Sequence, residues 1–141
     1  MSEKTANIVA QYVRNVHAKA HLRPYENRLG LSNEVTGSLS FEQLPEAGHW
    51  RVELTLTVNS INTEGALCFE TSCTLEAIAL LEGLEAEEIQ SVLTHTIAGL
   101  MVGHVRTALT NASLATGYGP TMLPPMTGAQ LASLANLTQE T

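Results

Sequence analysis

The spacing of apolar residues changes once along this chain, and that change limits the folds open to it. Through residue 76 apolar positions alternate singly; from Ile89 they recur every three or four residues. A period of two followed by a period near 3.6 describes strands followed by a helix. The alternation is cleanest over residues 50–58, where Val52, Leu54, Leu56 and Val58 interleave with Arg51, Glu53, Thr55 and Thr57. One apolar face and one wet face suit an antiparallel sheet. Three other segments read the same way. Val16, Ala18, Ala20 and Leu22 alternate with His17, Lys19, His21 and Arg23 until Pro24 ends the run. Val35, Leu39 and Phe41 oppose Thr36, Ser38 and Ser40 over residues 34–42. Leu67, Phe69, Thr71, Cys73 and Leu75 oppose Cys68, Glu70, Ser72, Thr74 and Glu76. Pro45-Glu46-Ala47-Gly48 and Asn62-Thr63-Glu64-Gly65 supply turns. A four-stranded antiparallel sheet is expected, with residues 24–34 as an irregular crossover carrying Leu29 and Leu31.

The helical stretch carries Ile89, Val92, Leu93, Ile97, Leu100, Met101, Val105, Ala108 and Leu109. About 25 residues at ~1.5 Å each give nearly 40 Å. That is more than four strands need for cover, so part of the helix is expected to face another subunit. Glu85, Glu87 and Glu88 crowd its first turn, where negative charge suits the helix dipole. Gly99 and Gly103 lie four apart; this spacing permits close helix–helix approach, and equally reads as simple tolerance. Gly117-Tyr118-Gly119-Pro120 breaks the helix. An apolar linker with Met122, Leu123 and Met126 follows, then a short helix from Thr127 carrying Leu131, Leu134 and Leu137. The whole, residues 1–141, reads as a single α+β domain without internal repeats.

Charged residues make up 15% of the chain, against about a quarter in ordinary soluble domains. The deficit points to surface covered by identical subunits or left apolar for a partner. A net charge of −7 with seven Lys and Arg argues against a nucleic-acid partner. No run of 18 apolar residues is present, so no membrane insertion is expected. Met1-Ser2-Glu3-Lys4-Thr5 leads into no apolar run, so a cytoplasmic protein is expected, with Cys68 and Cys73 as free thiols.

Polar constellations for catalysis are sparse. His17, His21 and Cys68 suggest a zinc site, but the spacing lacks a zinc signature, and solvated histidines are the simpler reading. His104 falls near the apolar stripe of the helix, as an interface histidine would. No nucleophile elbow, phosphate loop or dinucleotide fingerprint occurs. No catalytic residue, metal or cofactor is expected, and the chain reads as a non-enzyme. The terminal apolar residues either pad the core or wall a groove, for which flexible Met is suited.

The order of these parts resembles the SecB family of export chaperones, over most of the chain from about Gln11. The similarity is carried by the Trp50–Val58 strand and its Glu-Gly hairpin, by Leu81-Glu82-Gly83 before the long helix, and by Gly117-Tyr118-Gly119-Pro120 followed by Leu123-Pro124-Pro125 and a short helix with Ala129 and Leu131. Arg106 matches an arginine of the family's helix. The resemblance implies a four-stranded sheet with two helices, assembled as a dimer of dimers through the long helices, here Ile97, Leu100, Met101 and His104. It implies an ATP-independent holdase that keeps unfolded polypeptides or preproteins in apolar grooves and passes them to the SecA motor. Leu29, Leu31, Met122, Leu123, Met126, Leu131 and Leu134 would line the groove. Glu70 matches an acidic SecA-facing position if one residue of shift is allowed. Asn15 and Lys19 stand where the family has acidic residues, a departure that bears on SecA docking more than on client holding and makes a dedicated client without SecA the alternative reading. Two further readings are a hot-dog-type acyl-CoA enzyme, which needs strands after the helix, and a purely structural assembly subunit.

Overall fold

A computed structural model of the chain describes residues 3–121, 130 and 135–139. Four antiparallel strands come first: β1 (Thr5–Ala20), β2 (Leu31–Gln43), β3 (His49–Asn62) and β4 (Leu67–Glu82). A helical rod follows, made of α1 (Ala86–Ser91), a π-helical stretch (Val92–Ile97) and α2 (Ala98–Leu114). Backbone angles stay right-handed helical across both junctions, so the rod is continuous. A last strand, β5 (Ala135–Gln139), lies parallel to β2, giving the sheet order β1-β4-β3-β2-β5.

The expected alternation is realised most fully in β3, where every second residue from Trp50 to Asn62 is buried. Leu39 and Phe41 of β2, Val52, Leu54, Leu56 and Val58 of β3, and Cys73, Leu75, Ala77 and Ala79 of β4 form one side of the core. The rod lays Leu93, Ile97, Met101, Val105 and Leu109 on them, all fully buried. These five are spaced four apart, which stacks them along one line of a helix. Burial on this scale makes each large-to-small change here cost about 2–5 kcal/mol. The opposite sheet face is polar, with Thr55 bonded to Thr74 at 2.8 Å and Thr57 to Ser72 at 3.0 Å.

β1 departs from the expected strand. It begins at Thr5, ends at Ala20 before Pro24, and carries two register shifts, between Ile8 and Ala10 and between Val13 and Asn15. Each bulge inserts one residue and reverses which parity faces the helix. Ala6 and Ile8, then Gln11 and Val13, then Val16, Ala18 and Ala20 lie opposite inward-facing residues of β4.

Two quoted motifs have conformational reasons. Gly83 turns the chain from β4 into the rod at φ +74°, and a Cβ there would lie 2.5 Å from the Glu3 carbonyl oxygen. Only glycine fits such a turn. Gly117 adopts φ +83° and leads to Tyr118. The Tyr118 ring stacks on Phe69 at 4.7 Å, and its hydroxyl donates to the Leu22 carbonyl at 2.5 Å. The end of the rod is thus tied to the end of β1. Burial pushes the Tyr118 phenol above its ordinary value.

Of the expected terminal helix, Gln130 is described and is helical. Leu137, placed in that helix by its spacing, instead belongs to β5. Asn136 and Thr138 are poor helix formers, and the outer edge of β2 offers backbone partners. Met122, Leu123, Met126, Leu131 and Leu134 lie outside the described residues.

Candidate functional site

The outer sheet face holds the densest cluster of charge. Arg51 donates to Glu42 Oε2 from Nη2 at 2.8 Å and from Nε at 3.0 Å. It also reaches Glu53 at 3.2 Å and Glu76 at 3.3 Å. Arg14 adds a 3.0 Å bond to Glu53. Tyr12 donates its hydroxyl to the Glu76 carboxylate, which holds the phenol protonated above its usual value. Each of these three carboxylates is paired with the Arg51 guanidinium. The cluster spans β1 to β4 and works as a clamp across the sheet.

Glu70 faces the same side and pairs with His21 Nε2 at 2.9 Å. His17 stands opposite Ser72, away from that pair in register. Both cysteines are buried, and burial raises the Cys73 thiol above its usual value. Among the described residues no three of His, Cys, Asp and Glu are grouped to hold a metal ion.

Among the described residues, three places gather apolar side chains. The first lies where β2 begins. Leu29, Leu31 and Leu67 are between 37% and 40% exposed. Leu31 pairs with Asn62, and Leu67 with the neighbouring Ile61, so both sit at one end of the sheet. Asn27 fixes the crossover beside them by donating to the Leu29 carbonyl at 3.1 Å and accepting from Asn62 Nδ2 at 3.2 Å.

The second lies where β2 ends. A cavity of about 250 Å³ is walled by Phe41, Trp50, Ala86 and Ile89, with Gln43 and Gln90 among its lining. Phe41 and Trp50 meet edge to face at 6.3 Å and floor it with aromatic surface. This pocket was not anticipated from the sequence. The signal for it was slight: the only Trp of the chain, at the start of an inward-facing alternation. Along β2, Leu31 of the first place and Phe41 of the second lie about 33 Å apart at ~3.3 Å per residue. Over this stretch β5 pairs with Gly37–Phe41.

The third is the opposite edge. Val9, Tyr12, Val13 and Val16 of β1 are 43–58% exposed. A groove of about 580 Å³ runs between β1 and α2, lined by Val13, Gly103, His104, Thr107, Ala108 and Asn111. Space beside Gly103 is open where a Cβ would stand. The residues expected at an oligomer interface separate here. Leu100 is 57% exposed and His104 lies on the groove. Ile97 and Met101, by contrast, are fully buried under the rod and belong to the core. Among the described residues no helix is long and apolar enough to cross a membrane.

No family model matches this sequence, and no curated protein matches it. Solved structures do match. The SecB-like chaperone Rv1957 of Mycobacterium tuberculosis, solved in complex with a ChAD peptide from the Rv1956 HigA1 antitoxin, superposes with a TM-score of 0.74. It is 14% identical, over 86% of this chain and 91% of that one. A protein of unknown function from Streptococcus agalactiae, also 14% identical, covers 87% of this chain and 99% of its own, with a TM-score of 0.42. The fold of this chain is therefore SecB-like: a four-stranded antiparallel sheet backed by one long helix.

Proposed function

We propose that this protein is an ATP-independent holdase chaperone that binds unfolded polypeptide segments along the β2 side of its sheet. The observation that carries this reading is the pair of apolar places at the two ends of β2, one at Leu29, Leu31 and Leu67, the other in the Phe41–Trp50 pocket. An extended segment could touch both at once, which suits recognition of polypeptide without regard to its folded shape. The SecB-like fold supports the reading, as does the peptide bound to the mycobacterial protein of that fold. Met122, Leu123, Met126, Leu131 and Leu134 extend the groove in this proposal. The protein acts in the cytoplasm, as a homotetramer built as a dimer of dimers, with the exposed β1 residues, Leu100 and His104 as its contact surface. Binding of clients without enzymatic turnover is the whole of its activity.

Delivery to SecA would call on the acidic side chains of the outer sheet face. Glu70 is engaged by His21, and Glu42, Glu53 and Glu76 are engaged by Arg14 and Arg51. Service to a dedicated client fits these features better than docking of a basic partner.

The test is aggregation of an unfolded model protein followed by light scattering without ATP. Near-stoichiometric amounts should suppress the signal and catalytic amounts should not. Absence of suppression at every ratio would rule the holdase out.

A further inference from the structure

The edge of β2 receives a backbone from far along the chain. β5 lies on it in parallel register, with Gly37 opposite Ala135, Ser38 opposite Asn136 and Phe41 opposite Gln139. Among the described residues the remaining edge of β2, residues 31–36 and 42–43, has no strand partner on that side. An open edge of that kind is a template for added strands. The occupied stretch starts between the two apolar places and ends at Phe41, a wall of the pocket, and its direction matters. A strand parallel to β2 runs from the Leu31 end toward the Gln43 end, so its continuation leads to the Phe41–Trp50 pocket.

We propose that the β2 edge is the seat for a bound client segment, taken up as an added parallel strand, and that β5 is an internal competitor for the same seat. This rests on the holdase reading above. The occupant is an extended polypeptide whose central five residues pair with Gly37–Phe41 and whose next bulky apolar side chain enters the pocket. Main-chain bonds supply affinity that is indifferent to sequence, and the pocket supplies the selectivity. The tail that now holds the seat, Ala-Asn-Leu-Thr-Gln, carries no charge and no aromatic residue. It therefore matches the backbone requirement while lacking an aromatic anchor for the pocket. Such a placeholder covers an aggregation-prone edge when no client is present and yields it to a segment that also fills the pocket.

Two full-length variants test this. Leu137→Pro with Thr138→Pro removes strand donors from the tail. Ser38→Cys with Asn136→Cys joins residues that are register partners; neighbouring strands lie about 4.8 Å apart, within disulfide reach. The readout is fluorescence anisotropy of a labelled unstructured peptide with an uncharged centre followed by Trp. The proline variant should bind about fivefold tighter than wild type, the gain expected if the tail is seated about four-fifths of the time. The oxidised cysteine variant should lose at least tenfold in affinity and regain it on reduction. Unchanged affinity in the oxidised variant overturns the seat, and unchanged affinity in the proline variant overturns the competition. In either case wild-type suppression of aggregation decides the holdase reading separately. If wild type neither binds nor suppresses and the proline variant is also inert, both fall together.

Discussion

Glu88 joins the first residues of the chain to the start of the helical rod. Its carboxylate accepts from Lys4 Nζ at 2.9 Å and from the Glu85 backbone N–H at 3.1 Å. Both bonds favour the charged form, the Lys4 bond most, and they hold the group below its ordinary value of 4.5. A carboxyl depressed in the folded state stabilises above its unfolded value and loses that contribution as the pH falls through the folded one. Wild type should thus exceed Glu88→Gln in urea midpoint at pH 7, with the gap closing below pH 4.5; a gap that persists in acid would contradict this. The acidic cluster was legible in the sequence as a helix start. Its partner was not, because Lys4 reaches Glu88 only through the pairing of β1 with β4. The same holds for Ile97, Leu100 and Met101. All three belong to a stripe of three- and four-residue steps, but Leu100 is about 100° around the helix from Met101. Sequence spacing does not say which of these faces the sheet.

At the level of elements, β3 and β4 could be read directly, and β1 only in its second half. The bulges at Val9 and Arg14 swap the inward parity twice, so the stretch before Val16 shows no single alternation. The extra residues become visible only against the partner strand. The result is an edge strand that turns Val13 and Val16 toward the helix side without covering them. In the proposed assembly this edge is a contact surface. Val13→Lys together with Val16→Lys should then leave the far-ultraviolet spectrum unchanged and reduce the mass seen by light scattering to a smaller species. An unaltered mass would place the subunit contact elsewhere. Charge on an edge strand is the usual obstacle to its pairing with another chain.

Across the whole molecule, the sheet-then-helix plan followed from the change of hydrophobic period. The pocket and β5 did not. The pocket is assembled from Phe41 of β2, Trp50 of β3 and Ile89 of α1, and hydrophobic spacing alone does not separate a pocket wall from the core. β5 takes up its place because an edge is free, a fact belonging to the finished sheet and not to the sequence of residues 135–139.

The order of strands also sets a timetable. β2, β3 and β4 are joined by short turns, whereas Thr5 of β1 meets Glu82 of β4. The first strand to leave the ribosome is the last of the four able to pair, and loop-closure entropy delays it further. The two hairpins should form the nucleus, with β1 docking late. Ile8→Ala should accelerate unfolding several-fold and barely alter refolding, while Leu56→Ala should slow refolding, as stopped-flow fluorescence of Trp50 can measure. While it is being made, this proposed holdase has an unpaired apolar strand of its own.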